Sequence, residues 1–130
     1  MPPNPLLKKL GNLGEIIAEK FLLQKSYQLI QKNYLIRGGQ IDLVMLSPQG
    51  NLVFVEVKTR LAANYQITQE ESIISAKQIQ TLKKTAQYFL DQIAFPFTTW
   101  QLDLIWINFV QSEGVSRHAK IKHYQNILEI

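Results

Sequence analysis

Residues 39–60 read GQIDLVMLSPQGNLVFVEVKTR, two short apolar runs each interrupted by a single acid. Ile41 to Leu46 and Leu52 to Val57 are rich in β-formers. Ser47-Pro48-Gln49-Gly50-Asn51 between them has turn chemistry, so the stretch predicts a β-hairpin. Carboxylates are depleted in strands, yet Asp42 and Glu56 each lie inside one. Strand periodicity places Leu52, Phe54, Glu56 and Lys58 on one face, and groups Gln40, Asp42, Val44 and Leu46 in the preceding strand. If the loop is symmetric about Gln49, Val44 faces Phe54, Asp42 faces Glu56 and Gln40 faces Lys58. Directly opposed residues hold their Cβ atoms roughly 4.5–5.5 Å apart, where two carboxylates repel unless a proton or a cation intervenes. A slip of one residue would turn one of the acids to the opposite face.

Upstream, Leu13, Ile16, Ile17, Phe21 and Gln24 follow helical spacing and predict a first helix over about 12–25. Asn12 is placed as its cap and Glu15 as the matching capping-box residue. Residues 1–9 carry three prolines and no apolar period, and read as a mobile arm ahead of one domain over 10–130. Tyr27 to Ile36 is a further strand, separated from the hairpin by Gly38-Gly39. Downstream, residues 61–72 show neither period and read as a loop. Ile79, Leu82, Ala86, Phe89 and Ile93 predict a second amphipathic helix over about 73–93. Trp100 to Val110 and Val115 to Tyr124 read as strands around a turn at Ser112-Glu113-Gly114. The element order is α-β-β-β-α-β-β, an α/β class with a mixed central sheet flanked by helices.

Composition narrows the chemistry. At 130 residues and 46% hydrophobic, the chain suits one core and one site. With no cysteine, disulfides and thiolate ligation are excluded, and any metal must take oxygen or imidazole ligands, which favours Mg2+ or Mn2+. No apolar run reaches the roughly 20 residues that span a bilayer, and nothing signal-like follows Met1-Pro2-Pro3-Asn4-Pro5, so the expectation is a cytoplasmic protein without a membrane partner. The net charge of +4 permits a polyanionic partner.

For the hairpin acids, one reading is hydrolysis of a phosphodiester: two carboxylates hold a divalent metal that activates water, and Lys58 orients that water or stabilises transition-state charge. The other is an ion pair at a strand edge. Read from the residues alone, both stand.

The ordered set Gly11-Asn-Leu-Gly-Glu15, Gly39-Gln-Ile-Asp-Leu43, Phe54-Val-Glu-Val-Lys-Thr-Arg60, Lys77 and Gln101-Leu-Asp103 resembles the YraN-like family of uncharacterised bacterial proteins. That family is similar to restriction endonucleases and Holliday-junction resolvases. The resemblance runs from about residue 10 to Asn126, and the segment around Glu56 and Lys58 is its most specific part. It implies a restriction-endonuclease-like fold with a PD-(D/E)xK core: Asp42, Glu56 and Lys58, with Glu15 as a helical acid, and Asp42, Glu56 and Glu15 as metal ligands. It further implies a Mg2+- or Mn2+-dependent endonuclease acting on DNA, with branched or structured DNA as a candidate substrate. The competing reading is a non-catalytic DNA-binding or complex-assembly module that retains the scaffold. Where the family usually has Gly-Glu-Ile-Asp, this chain has Gln40, which removes one charge beside the site.

Other residues carry two readings each. Glu15 is either a third metal ligand or the partner of Asn12 in a capping box. Lys77 and Arg60 are the candidates for phosphate contact, with Lys83 and Lys84 on the same polar helix face as Lys77. Asp103 reads as a buried acid paired with Arg or Lys, or as one on a solvated face. His118 and His123 lack partners at metal-ligand spacing and read as structural or exposed. Trp100, Trp106 and the tyrosines read as packing. A homodimer is compatible with the sequence, but no residue pattern marks its face.

Overall fold

In the computed structural model, which describes residues 5–63, 74–111 and 118–129, the hairpin forms in the register its loop symmetry dictates. Strand β2 (Gly39–Leu46) pairs antiparallel with β3 (Leu52–Ala63) through Leu46↔Leu52, Met45↔Val53, Val44↔Phe54 and Leu43↔Val55. The loop closes on itself: Ser47 N–H donates to the Asn51 carbonyl at 2.8 Å, and the Ser47 hydroxyl accepts from Asn51 N–H at 3.0 Å. Gly50 takes φ 87, a left-handed turn position that costs glycine little.

Around this hairpin the sheet grows outward in chain order. β1 (Gln28–Ile36) lies antiparallel to β2, β4 (Trp100–Gln111) lies parallel to β3, and β5 (His118–Tyr124) closes the far edge antiparallel to β4. The parallel β3–β4 step requires a crossover, and α2 (Ala76–Leu90) provides it. Ser75 caps α2 through a capping box with Gln78, its hydroxyl accepting from Gln78 N–H at 3.1 Å.

The first helix, α1 (Pro5–Gln24), begins seven residues before the expected start, so Pro5 to Lys9 of the anticipated arm are helical. Proline suits a first helical turn, where its missing N–H is not needed, and Leu10 is buried against the sheet. Asn12 is thus interior to the helix, and its expected capping box with Glu15 does not form. The helix ends at Gln24, and Ser26, with a φ of 68, sets a Schellman-type end: Tyr27 N–H reaches the Leu22 carbonyl, and Ser26 N–H the Leu23 carbonyl.

Each helix covers one face of the sheet. Leu10, Ala18 and Leu22 of α1 pack on Leu43, Met45, Val53, Val55, Ile105 and Ile107. Leu82, Ala86 and Phe89 of α2 pack on Val44, Leu52, Phe54, Leu102 and Leu104, with Tyr34, Phe89, Phe54 and Trp100 meeting edge to face at 5.0–5.9 Å. This is the mixed sheet flanked by helices, in the α-β-β-β-α-β-β order, that the sequence predicts.

Other boundaries differ too: α2 spans Ala76–Leu90 rather than about 73–93, and Ile93 lies beyond its C-cap Asp91. β3 continues past Val57 to Ala63 because β4 pairs with it along its whole length, to Ala63↔Gln111, and so takes Leu61, Ala62 and Ala63 from the expected loop. The rest of that loop, the turn at 112–114 and the expected strand start at 115 lie outside the described residues. A short 3-10 turn at Ile127–Glu129, which the sequence reading leaves out, buries Ile127 in the α2-side core.

Candidate functional site

The site begins with a fault in the backbone. Tyr34 pairs with Ile41 and both join the α2-side core, while Lys32 pairs with Leu43, which joins the α1-side core. Residues two apart on a regular strand share a face, so both strands turn over between these pairs. The register passes over the residues in between, Asn33 and Asp42, and Asn33 sits at φ 50. Strict alternation, which grouped Asp42 with Gln40 and Val44, fails at this point. On the other side, the β2–β3 pairing ends at Leu43↔Val55, one step short of the expected Asp42–Glu56 pair. Val57 N–H instead donates to Asp42 Oδ2 at 2.8 Å, so the carboxylate occupies the place of a strand carbonyl. The acid holds open the two strands that its neighbours zip together.

Asp42 is 8% exposed, and its other oxygen, Oδ1, lies 3.4 Å from Gln40 Nε2. Gln40 thus directs a donor at the carboxylate where a glutamate would direct a second negative charge. Glu56 is half-buried and hydrogen-bonded to Asp42. Burial first, then the hydrogen bond that its protonated form donates to Asp42 and the charges of Asp42 and Glu15, push its carboxyl up to about 9 against the opposing Lys58. One proton therefore serves the Asp42–Glu56 pair at neutral pH.

Glu15 reaches the neighbourhood because α1 comes very close to β3. A Cβ on Gly14 would stand 2.4 Å from Thr59 Oγ1, so glycine at that position permits the approach. Burial raises the Glu15 carboxyl, Asp42 adds to the rise and Lys32 lowers it. Glu15 is raised by Asp42 and in turn raises Glu56, but among the described residues no three Asp, Glu or His side chains converge as a metal cluster. The structure brings Asp42 and Glu56 into contact and leaves Glu15 farther out.

Lys58 is half-buried on β3 opposite Trp106 of β4. Arg60, two residues on, is exposed and lays its guanidinium over the Trp106 ring, 5.2 Å from the centroid. Lys77 is exposed in the first turn of α2 and, with Lys83 and Lys84, lines an open trough of about 460 Å3 along that helix.

Two groupings were not anticipated. Asp103 is fully buried and pairs not with a lysine or arginine but with His123, whose Nε2 lies 2.7 Å from Oδ2. Asp103 Oδ1 accepts from Gln101 Nε2 at 2.8 Å and from Asn126 N–H at 2.9 Å. His123 is therefore buried rather than exposed, its ring edge-on to Phe21 and Tyr27. The signal was the register of β4 and β5: Ile105↔His123 places the histidine diagonally across from Asp103. The second is a pocket of about 190 Å3 between α1 and the β1–β2 hairpin, lined by Asn12, Glu15, Ile16, Lys32, Asn33 and Leu43. An asparagine between Lys32 and Tyr34, inside a run of β-formers, was the sign of it, because asparagine is poor in strands and tolerant of left-handed backbone.

No helix among the described residues is long and apolar enough to cross a membrane. Comparison with known proteins places the whole constellation in one family. Residues 14–107, which include Glu15, Asp42, Glu56, Lys58, Arg60, Lys77 and Asp103, match the uncharacterised protein family UPF0102. The chain is similar to the UPF0102 protein of Desulforamulus reducens, 31% identical over 121 residues, covering 93% of this chain and 96% of that one. It is also similar to the UPF0102 proteins of Carboxydothermus hydrogenoformans (30% over 122 residues, 94% and 97%) and Syntrophomonas wolfei (33% over 119 residues, 92% and 96%). These matches span nearly the full length of both partners, and the chain belongs to UPF0102, the YraN-like family its motifs resemble.

Proposed function

We infer that this protein is a Mg2+- or Mn2+-dependent endonuclease that hydrolyses DNA phosphodiester bonds, with Asp42 and Glu56 as the metal-holding carboxylates. The observation that carries this is the contact between those two acids at a break in the sheet, where burial and Asp42 raise the Glu56 carboxyl. Structural acids are normally satisfied by cationic partners or by full hydrogen bonding. Here Lys58 lowers the Glu56 carboxyl only in part, and Glu15 is a further acid nearby that pushes it up. The donor set fits a hard divalent cation, since Mg2+ commonly takes one or two carboxylates and completes its shell with water and substrate phosphate oxygens. Asp42 and Glu56 would hold the ion, with Glu15 as a further acid at longer range, and the ion would supply Lewis-acid activation of the phosphate and of the attacking water.

The chain's own residues divide the remaining work. Val57 N–H and the Gln40 amide fix the Asp42 carboxylate in orientation. Lys58, on the same strand two residues beyond Glu56, is suited to orienting water or countering charge as the phosphorus becomes pentavalent. Arg60 and the Lys77, Lys83 and Lys84 trough offer positive charge to the DNA backbone, whose phosphate contacts dominate affinity. Branched or structured DNA is the substrate class to try first.

The test is cleavage of duplex, single-stranded, flap and four-way-junction DNA with Mg2+ or Mn2+, by the native protein and by Glu56→Gln. Metal-dependent cutting that the Gln variant loses supports the reading. DNA binding without cutting, equal in the two proteins, would leave instead a DNA-binding module on a nuclease scaffold.

A further inference from the structure

The pocket between α1 and the β1–β2 hairpin stands beside the acids without being part of the pair. Glu15 forms one wall, Leu43 follows Asp42 directly, and Asn33 is the left-handed residue at which the strands turn over. At about 190 Å3 it falls below the roughly 300 Å3 at which pockets begin to enclose a drug-sized ligand, so it suits one ring or one phosphate rather than a whole nucleotide.

Charge decides between those two. Lys32 lines the pocket with Glu15, but its ammonium is already ion-paired to Glu19 outside the lining, so the one cation is engaged while Glu15 remains in the wall. With its one ammonium engaged elsewhere and an acid in its wall, the pocket disfavours a phosphate and admits a neutral, hydrogen-bonding group. Asn12 and Asn33 each offer an amide with two donor hydrogens and an acceptor oxygen, and Ile16 gives an apolar side for a flat ring. Asparagine matches the edge of adenine, and a carboxylate accepts from the exocyclic amine of cytosine.

We propose that this pocket takes one unpaired adenine or cytosine from the DNA strand that runs past Asp42 and Glu56. Its ring lies against Ile16, its exocyclic amine donates to Glu15 and one asparagine oxygen, and the amides of Asn12 and Asn33 donate to the ring nitrogens on the same edge. The proposal rests on the nuclease reading for the direction of the strand, and it adds a requirement: the favoured substrate presents an unpaired base. A base already out of a duplex costs least to accommodate.

The experiment uses the full chain with Ca2+ in place of Mg2+ and fluorescein-labelled duplexes that differ only in one bulged position: adenine, cytosine, guanine, thymine or an abasic site. Affinity is read by fluorescence anisotropy. Adenine and cytosine should bind about tenfold more tightly than thymine or the abasic site. In the Asn12→Ala, Asn33→Gly double variant, where glycine keeps the left-handed backbone, that ratio should fall to about one. Equal binding of abasic and adenine DNA, a ratio unchanged in the variant, or no binding to any of the DNAs would each overturn the proposal. Cutting of the same duplexes with Mn2+ separates the two readings. Base preference without cutting keeps the pocket and removes the nuclease, while cutting without preference removes the pocket alone.

Discussion

Substituting Glu56 by Gln should make the protein more stable as pH rises, relative to the native chain, and the reason is the proton on the acid pair. In the unfolded chain Glu56 releases its proton near 4.5; in the folded chain burial and Asp42 hold it to about 9. Between those values the folded state binds one more proton than the unfolded state, so stability falls with rising pH. The stabilisation that the bound proton provides is fully present below about pH 4.5 and is lost progressively until the folded carboxyl itself ionises near 9. The limiting slope is a tenfold change in the folding equilibrium per pH unit. Glutamine imitates the protonated acid in shape and hydrogen bonding and cannot ionise. From pH 5 to pH 7 its advantage over the native chain should therefore grow by about 2–3 kcal/mol, less whatever screening reaches the partly exposed carboxyl. Urea denaturation in EDTA across pH 5–9 measures this, and the raised Glu15 carboxyl, common to both proteins, largely cancels in the difference. Adding Mn2+ should reverse the ranking near neutral pH, because the native pair can exchange its proton for the ion and the Gln variant cannot. Parallel stability curves for the two proteins in EDTA would refute the shared-proton account of the site.

The geometry yields further expectations. Replacing Gly14 by Ala puts a Cβ 2.4 Å from Thr59 Oγ1 and should cost about 1–3 kcal/mol, much of it recovered when Thr59→Ala is added; additive costs in a double-mutant cycle would count against the close approach of α1. Asp103→Ala strands His123 and loses the anchor of Asn126, so denaturation should report a loss of about 3–5 kcal/mol, and a loss under about 1 kcal/mol would show the buried pair to be dispensable. If the α2 trough contacts DNA phosphates, changing Lys77, Lys83 and Lys84 to Gln should flatten the plot of log affinity against log salt by about 2–3 units. An unchanged slope would remove that face from the DNA interface.

What was legible in the sequence is what local periodicity controls. The hairpin register followed from the apolar runs and the turn at Ser47–Asn51 because one-residue slips would have carried Val53 and Val55 away from the α1-side core and Phe54 away from the α2 side. Helix α2 was legible because its apolar positions and its breakers agree. The start of α1 was misplaced by a true but weaker cue: Asn12 and Glu15 have capping spacing, yet they occupy helical turns that Pro5 had already opened and Leu10 had already anchored. The Asp103–His123 pair escaped for a different reason. Its members are twenty positions apart, and only the β4–β5 register brings them together, so a search at short ligand spacing could not find it.

The candidate site marks the place where periodicity stops being a guide. Ideal alternation and an uninterrupted ladder place Asp42 squarely opposite Glu56, and the acids do meet, but by a route that the pattern does not contain. The strands turn over at Asn33 and Asp42, the Asp42 carboxylate takes the N–H of Val57, and the ladder stops. A regular sheet would satisfy its backbone without help from a side chain; here a carboxylate performs that task while it holds the proton of a second carboxyl group beside it. Local departures of this kind oppose stability and are expected where function, not folding, selects the residue. Gln40 belongs to the same logic. Read from sequence it is a lost charge, whereas in the fold its amide is directed at the Asp42 oxygen that Val57 leaves free. The substitution thus lowers the negative charge at the site while keeping Asp42 oriented, so Gln40→Glu should make Mn2+ binding more dependent on pH, because the added carboxylate holds the site's proton more tightly, and Gln40→Ala should loosen Asp42 without changing the charge. Mn2+-induced shifts in Tm over pH 6–9 distinguish the two effects: a pH-dependent change for the first variant and a pH-independent weakening for the second. Identical behaviour of both variants and the native chain would mean that Gln40 takes no part in holding Asp42.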